Sequence, residues 1–183
     1  MYIKEKIEMI LPFNLKRLRF EKINFNDFLL LREEMKREPM SLLSCRPIND
    51  KSEENLKSYF EEMMEQKNSF VFSIYSLEDS NLLGRFSIFD FNLRNKALEI
   101  GFFLLKPYRR LGYAEEMVEG IKKICFEILD INKISAQTGS FNRSSIALLE
   151  KSEFQRDGIL REHHEKNGEL FDDYIYSFLR KDY

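Results

Sequence analysis

The most regular stretch of the chain follows a short basic turn. Apolar residues recur there at positions i, i+3 or i+4, and i+7, in the series Met117, Val118, Ile121, Ile124, Cys125, Ile128 and Leu129. Such spacing places the apolar side chains on one face and predicts an amphipathic helix. An apolar run at 97–105 precedes this helix, and a short strand-like segment at 133–138 follows it. Strand, helix and strand in this order predict two parallel strands.

Other segments predict the rest of the sheet. Runs rich in Phe, Val, Ile and Tyr at 69–76 and 82–91 are typical of strands, and short turns make them antiparallel neighbours of the strand at 97–105. Residues 14–23 alternate between apolar and polar side chains, which predicts a first strand. Residues 1–14 show no clear period, and we interpret them as an N-terminal extension.

Helices and a final hairpin complete the pattern. Apolar residues at helical spacing after Asn26-Asp27 and after Asn49-Asp50 predict two helices between the first two strands. We expect Asn142 to be the N-cap of a short helix. The pair Asn167-Gly168 is typical of the turn of a β-hairpin, which would close the fold. The order is β-α-α-β-β-β-α-β-α-β-β, an α/β (α+β) fold with a mixed, mostly antiparallel central sheet flanked by helices.

Composition narrows the class of protein. The 183 residues favour a single domain over 1–183, with 43% apolar and 33% charged residues. A formal net charge of −2 gives no reason to expect a nucleic acid or a membrane as partner. The N-terminal segment contains acidic residues and no long apolar run, which predicts no signal peptide. Cys45 and Cys125 lie too far apart for a metal motif, so we expect a cytoplasmic protein with reduced thiols.

The turn before the long helix has the residues of an anion site. Arg109 and Arg110 supply positive charge and forked donors, Gly112 lets the backbone come close, and Ala114 leaves the helix start uncrowded. The first N–H groups of a helix have no internal partner, and the helix dipole is positive there. A phosphate group is therefore the expected ligand.

The same turn carries a family resemblance. The run Arg109-Arg110-Leu111-Gly112-Tyr113-Ala114 fits the Arg/Gln-x-x-Gly-x-Gly/Ala pyrophosphate loop of the GNAT (GCN-five-related N-acetyltransferase) superfamily. The wider run from Glu99 to Glu116 resembles the branch that acetylates the N-termini of ribosomal proteins (RimJ/RimL-like). Further segments resemble that branch in order along the chain: 17–19, 142–146, 148–154 and 158–177.

The resemblance implies that acetyl-CoA donates an acetyl group to a primary amine by direct attack in a ternary complex. The strands at 97–105 and 133–138 would splay apart beyond Gly101 and admit the pantetheine arm of the coenzyme, with no metal involved. Asn142 would bond this arm near the sulfur. The residues implied for the arm are Phe102, Phe103, Leu104 and Leu105, and those for the pyrophosphate are Arg109, Arg110, Leu111, Gly112, Tyr113, Ala114 and Glu115.

Two residues are candidates for catalysis. Glu99 lies in an apolar strand at the mouth of the implied cleft, where it could act as general base on the amine, directly or through water. Ser145 lies in the first turn of a helix beside the implied sulfur position, and it could protonate the leaving thiolate. Many family members use a tyrosine for that step, and here Leu149 stands in its place. A structural hydrogen bond of Glu99, or a helix-start hydrogen bond of Ser145, is the alternative for each.

The sequence does not identify the acceptor amine or the oligomeric state. A protein N-terminus, a polyamine, an amino sugar or another small amine would fit the implied reaction, in a monomer or a homodimer. Because Leu149 replaces the usual tyrosine, a second hypothesis is a non-catalytic CoA-binding sensor on the same fold. His163-His164 is not expected to form a metal site, since neighbouring strand residues point to opposite faces.

Overall fold

The computed structural model describes residues 3–37, 45 and 55–183. Five α-helices and eight strands lie within them. In chain order they are α1 (Ile3–Ile10), β1 (Phe13–Asn14), β2 (Leu18–Lys22), α2 (Phe25–Arg37), α3 (Leu56–Glu65), β3 (Phe70–Ser76), β4 (Leu82–Asn92), β5 (Ala97–Leu104), α4 (Tyr113–Lys123), β6 (Lys133–Gly139), α5 (Arg143–Lys151), β7 (Gln155–Lys166) and β8 (Glu169–Leu179). The predicted helix start at Asn49-Asp50 lies outside the described residues.

All eight strands form one sheet in the order β1-β2-β3-β4-β5-β6-β8-β7. Every neighbouring pair is antiparallel except β5 and β6, which are parallel. Helix α4 makes the crossover between these two strands, as a parallel connection requires. The predicted fold class and the parallel strand pair are thereby confirmed.

Apolar side chains cover both faces of the sheet. The larger cluster joins α1, α4 and α5 to one face, where Phe20, Phe72 and Phe86 are fully buried. A smaller cluster joins α2 and α3 to the other face, and it includes Phe28 and Phe103. Because helices cover the sheet from both sides, its central strands carry apolar residues towards both layers.

The interpretation of residues 1–14 as an extension without a clear period is wrong for residues 3–10. Residues 3–10 form α1, and its Ile3 and Ile7 are buried in the larger cluster. These two residues and Ile10 recur at i, i+4 and i+7, which is helical spacing and the signal that was missed.

Helix α2 also begins earlier than predicted, at Phe25. The cap is Asn24, whose Oδ1 accepts the backbone N–H of Asp27 at 3.0 Å. The predicted cap residues Asn26 and Asp27 instead lie inside the first turn of the helix. No helix within residues 3–37 and 55–183 combines the length and the apolar character needed to cross a bilayer.

The close approach of β4 to β5 at Gly84 predicts that a side chain at this position destabilises the fold. A Cβ atom at this position would lie 2.1 Å from the carbonyl oxygen of Phe103, which belongs to the backbone of the neighbouring strand and cannot move aside cheaply. We expect Gly84→Ala to lower the free energy of unfolding by about 1–3 kcal/mol, measured by urea denaturation. The control is Gly158→Ala, because a Cβ there meets nothing within 4 Å. Its free energy should change by less than about 0.5 kcal/mol. Equal stability of the two variants would contradict the close contact.

Candidate active site

The parallel ladder between β5 and β6 is short. Its paired residues are Ala97 with Lys133, Leu98 with Ile134, and Glu99 with Ser135. Beyond this point β5 stays bonded to β4 as far as Leu104, and β6 stays bonded to β8 as far as Gly139. The two strands therefore separate directly after Glu99, two residues earlier than the expected position at Gly101. Backbone groups that would continue the ladder face the opening between them.

A tight turn follows the far end of β5. The chain passes through a short helical turn at Lys106–Tyr108 and then starts α4 at Tyr113. Gly112 is the N-cap with φ +80°, and Arg110 also has a positive φ of 61°. These left-handed conformations turn the chain so that the helix begins abruptly. The first N–H groups of α4 have no intrahelical acceptor, and the helix dipole adds positive potential there.

Arg17, which precedes β2, forms hydrogen bonds and an ion pair with this turn and the start of α4. Its Nη1 donates to the carbonyl oxygen of Leu111 at 3.0 Å, and its Nε donates to Glu116 Oε2 at 2.8 Å. The backbone N–H of Arg17 donates to Glu116 Oε1 at 2.6 Å, and the guanidinium lies 4.5 Å from the ring centre of Tyr113. The turn is therefore fixed by a side chain about a hundred residues earlier in sequence.

One cavity of about 1330 Å³ joins the opening to the turn. Its volume exceeds the ~300–1,000 Å³ of a typical small-ligand pocket, so it is large enough for two substrates. Most residues singled out from the sequence line it, namely Glu99, Phe102, Phe103, Leu104, Arg109, Arg110, Gly112, Ala114, Glu115, Asn142 and Ser145.

Three of the expected coenzyme residues do not line the cavity. Leu105 is buried between the sheet and α2–α3, and its backbone N–H donates to the Leu83 carbonyl at 2.8 Å. Leu111 points into solvent with 55% of its surface exposed. The ring of Tyr113 packs against Tyr108 and beneath Arg17. The side chains of these residues therefore shape the turn instead of facing a ligand.

Arg109 also has a structural contact. Its Nε donates to the Leu104 carbonyl at 2.8 Å, and its guanidinium lies 5.6 Å from the ring centre of Phe103. Arg109 thus braces the end of β5 while it lines the cavity.

The two candidate catalytic residues, Glu99 of β5 and Ser145 of α5, both line the cavity. Glu99 is half-buried at its apex, in the last pair of the parallel ladder. Ser145 is in the first turn of α5, where its N–H donates to Asn142 Oδ1 at 3.3 Å. This bond confirms Asn142 as N-cap of α5 and occupies its amide oxygen, which leaves the amide nitrogen as the group suited to a ligand. Leu149 is buried behind them with 1% exposed surface.

A buried polar network adjoins Glu99 on the same face of the sheet. Asp173 is fully buried, and its Oδ2 accepts from Gln137 Nε2 at 2.7 Å. Its Oδ1 lies 3.1 Å from His164 Nδ1. Burial, followed by the charge and hydrogen bond of Asp173, raises the pKa of the Cys45 thiol to about 12. The thiol is therefore protonated at neutral pH, and thiolate is the nucleophilic form.

Three of these residues could hold a metal ion. Ligand atoms of Cys45, His164 and Asp173 lie within 4.8 Å of one another, and thiolate, imidazole and carboxylate are zinc ligands. His163 is exposed and His164 is buried, so the tandem pair does point in opposite directions, as expected. The hydrogen bonds to Asp173 give this buried carboxylate its partners without an ion.

Several residues of the site were not found from the sequence. Arg17, Arg85, Gln137 and Asp173 belong to segments that were interpreted only as strands or turns. The alternation of β4 and β8 could have placed Arg85 and Asp173 on one sheet face, but it carries no information about which face adjoins a cavity.

Comparison with known proteins agrees with this geometry. Residues 17–155 match the family model described as an acetyltransferase (GNAT) domain. The chain therefore belongs to the GNAT acetyltransferase family, and the class that fold and site define is that of acetyl-CoA-dependent acetyltransferases. The superfamily resemblance is thereby confirmed.

Two bacterial relatives illustrate the similarity in sequence. The chain is 32% identical over 112 residues to p20, an uncharacterized N-acetyltransferase of Bacillus licheniformis, covering 61% of this chain and 63% of that relative. It is 30% identical over 133 residues to YokL, an SPbeta prophage-derived uncharacterized N-acetyltransferase of Bacillus subtilis, covering 73% of this chain and 74% of the relative.

Solved structures are similar in fold. The spermidine N-acetyltransferase of Vibrio cholerae, solved in complex with CoA and spermine, superposes with a TM-score of 0.83 at 17% identity, over 92% of this chain and 98% of that one. A GNAT-family acetyltransferase of Bacillus anthracis gives a TM-score of 0.76 at 21% identity, over 92% and 98% of the two chains.

The raised pKa of Cys45 predicts slow alkylation. At pH 8 a thiol with a pKa of about 12 has on the order of 10³-fold less thiolate than one at the ordinary value of 9.0. Cys125 is fully buried, and burial raises its pKa as well. We expect both thiols to react far more slowly with iodoacetamide in the folded protein than in urea, with the rate rising only at strongly alkaline pH. Mass spectrometry of the alkylated peptides measures this, and alkylation of Cys45 at the rate of a free thiol would contradict the buried network.

Proposed function

We propose that the protein transfers the acetyl group of acetyl-CoA to a primary amine by direct attack in a ternary complex. The observation that carries this proposal is a single cavity with three parts: an opening between two parallel strands, a helix N-terminus at one end, and a carboxylate at the apex. The whole chain would work as one domain in the cytoplasm, as a monomer or a homodimer.

The coenzyme would occupy the opening and the turn. Its pantetheine arm would run beside β5 at Phe102 to Leu104, where ladder bonding to β6 has ended. Its pyrophosphate would accept bonds from the N–H groups between Arg110 and Glu115, because these groups start α4 and have no helical acceptor. The amide nitrogen of Asn142 would bond the arm near its sulfur.

Glu99 would act as general base. An alkyl amine is protonated near neutral pH and must lose a proton before it attacks the thioester. Glu99 lies at the apex of the opening, where the acyl end of the arm would lie, so that it could take this proton directly or through water. A backbone N–H near Phe103 or Leu104 would stabilise the oxyanion of the tetrahedral intermediate.

The leaving thiolate would take a proton from Ser145. This serine and Ser144 are the two cavity-lining hydroxyls in the first turn of α5, and the backbone N–H of Ser145 donates to the capping Asn142. Leu149 lines the same part of the cavity and has no proton to give.

Direct attack fits the site better than a relay through cysteine. Cys45 lines the cavity, but its pKa of about 12 keeps the thiol protonated and weakly nucleophilic. The second described cysteine, Cys125, is buried inside α4's apolar layer and does not line the cavity.

The test of the proposed function is the release of free CoA from acetyl-CoA in the presence of a panel of amines. The panel should include peptides with free N-termini, polyamines, amino sugars and short alkylamines. Turnover with any amine supports the proposal. Tight CoA binding without turnover on any of them would favour the alternative, a non-catalytic CoA-binding sensor.

Removal of the base should lower the rate without weakening coenzyme binding. We expect Glu99→Gln to reduce kcat by ~10²–10⁴-fold at pH 7, the range for general-base catalysis. The deficit should shrink as pH rises, because more of the amine is then neutral without help. Ser145→Ala tests the proton donor alongside it, and CoA affinity by calorimetry should stay unchanged in both. A pH-independent rate equal to wild type in Glu99→Gln would exclude the base role.

Gly112 tests the coenzyme turn. A side chain here is strained at φ +80°, and its Cβ would lie 3.4 Å from Arg17 Nη2. We expect Gly112→Val to weaken CoA binding by at least ~10-fold, because a β-branched residue rarely adopts this conformation and the turn must change. The matched control is Gly168→Val, which has φ +83° in the hairpin turn and lies away from the cavity. Equal CoA affinity of both variants would contradict a pyrophosphate site at this turn.

A further inference from the structure

Arg85 lies where the cavity extends beneath α2 and α3. It belongs to β4 and lies opposite Phe103 of β5, while Phe89 lies opposite Glu99 on the same strands. Directly paired residues of antiparallel strands share a face, so Arg85 and Glu99 both project from the sheet towards α2 and α3. Both line the cavity.

The surroundings of the Arg85 guanidinium are mostly apolar. Within residues 3–37, 45 and 55–183, no carboxylate forms an ion pair with it and no side chain or carbonyl accepts a hydrogen bond from it. Burial lowers the pKa of Arg85, although Tyr59 acts in the opposite direction. Apolar cavity residues on the α2–α3 side include Phe28, Leu31, Met35, Met63, Val71 and Phe103.

Such a group needs an anion. Arg85 is half-buried, and an arginine remains charged even beside an apolar wall, where a partly desolvated charge without a partner is unfavourable. Its fork of N–H donors matches a carboxylate with two parallel hydrogen bonds. Because Arg85 lines the cavity, a bound ligand is the natural source of that carboxylate.

Other cations beneath α2 and α3 would also attract a carboxylate. Arg32 and Lys36 of α2 also line the cavity, although Lys36 is paired with Glu33 of the same helix at 3.5 Å. Among the described lining residues beneath α2 and α3 the acidic side chain is Glu99. A second ammonium group on the acceptor, as in a polyamine, would meet these cations. A carboxylate on the acceptor would be attracted by them.

We propose that Arg85 binds a carboxylate of the acceptor, so that the acceptor class is primary amines that also carry a carboxylate. This inference rests on the proposed acetyl transfer to an amine. Glu99 and Phe103 are four residues apart on β5, which is about 13 Å along a strand before the two side chains reach towards each other. This separation fits an amine and a carboxylate several bonds apart, as in an ω-amino acid or a short peptide, better than an α-amino acid.

The kinetic test compares acceptors of equal length. δ-Aminovalerate, pentylamine and cadaverine present a carboxylate, a methyl group and an ammonium group at the end distant from the reacting amine. For the wild-type protein we expect kcat/KM for δ-aminovalerate to exceed that for pentylamine by ~10–100-fold, the range for a charged hydrogen-bonded pair. Cadaverine should be the poorest of the three.

Variants of Arg85 should change this preference. In Arg85→Met the ratio of kcat/KM between δ-aminovalerate and pentylamine should fall towards one, and Arg85→Lys should retain part of it because the charge remains. The matched control is Arg94→Met, an exposed arginine in the turn between β4 and β5 that does not line the cavity, which should keep the wild-type ratio. Thermal unfolding of each variant verifies that it is folded.

A binding measurement separates this inference from the proposed function. Calorimetric titration of δ-aminovalerate into CoA-saturated protein should show binding that Arg85→Met weakens by at least ~10-fold. Arg85-dependent binding without turnover on any amine would uphold the carboxylate site and overturn acetyl transfer. Turnover of pentylamine or cadaverine at least as efficient as that of δ-aminovalerate would uphold acetyl transfer and overturn the carboxylate site. Absence of both binding and preference would also overturn it.

Discussion

The active-site geometry depends on the place where two parallel strands stop pairing. β5 and β6 share hydrogen bonds only as far as Glu99 and Ser135, while each remains bonded to its outer neighbour. The outer ladders hold both strands extended on either side of the opening. The result is a slot lined with backbone donors and acceptors, which suits an extended polar chain. Its apex places a carboxylate where the reactive end of such a chain would lie.

Side chains alternate along the strands, so the two faces of the sheet at the slot differ in polarity. Even-numbered residues of β5 such as Leu98 and Ile100 join the larger apolar cluster, whereas Glu99 faces the side of α2 and α3 together with Arg85. Gln137 and Asp173 belong to this second face through the register of β6 and β8. Charged and polar groups therefore collect on one side of the slot, which is the side where the proposed acceptor would lie.

Local signals in the sequence were sufficient for the order of elements from β2 onward, the parallel pair and the Asn142 cap. Each of these depends on residues within a few positions of one another, where periodicity and turn chemistry apply. The contacts of Arg17 with the turn, the partners of Asp173 and the apolar surroundings of Arg85 could not be predicted in this way. They join segments far apart in the chain, and an isolated arginine or aspartate in a strand pattern gives no sign of its tertiary partner. The opening was placed two residues late because the end of a ladder is decided by neighbouring strands.

The bonds from Arg17 to Leu111 and Glu116 have a consequence for how the protein folds. They join residues more than ninety positions apart, so the loop between them must close before the turn acquires its final shape. The shape of the turn therefore depends on the docking of the N-terminal strands, and a partly folded chain in which they have not docked would lack the Arg17 contacts that hold it. A ligand that recognises this turn would bind only the native molecule, and its binding would shift the folding equilibrium of the entire chain by mass action.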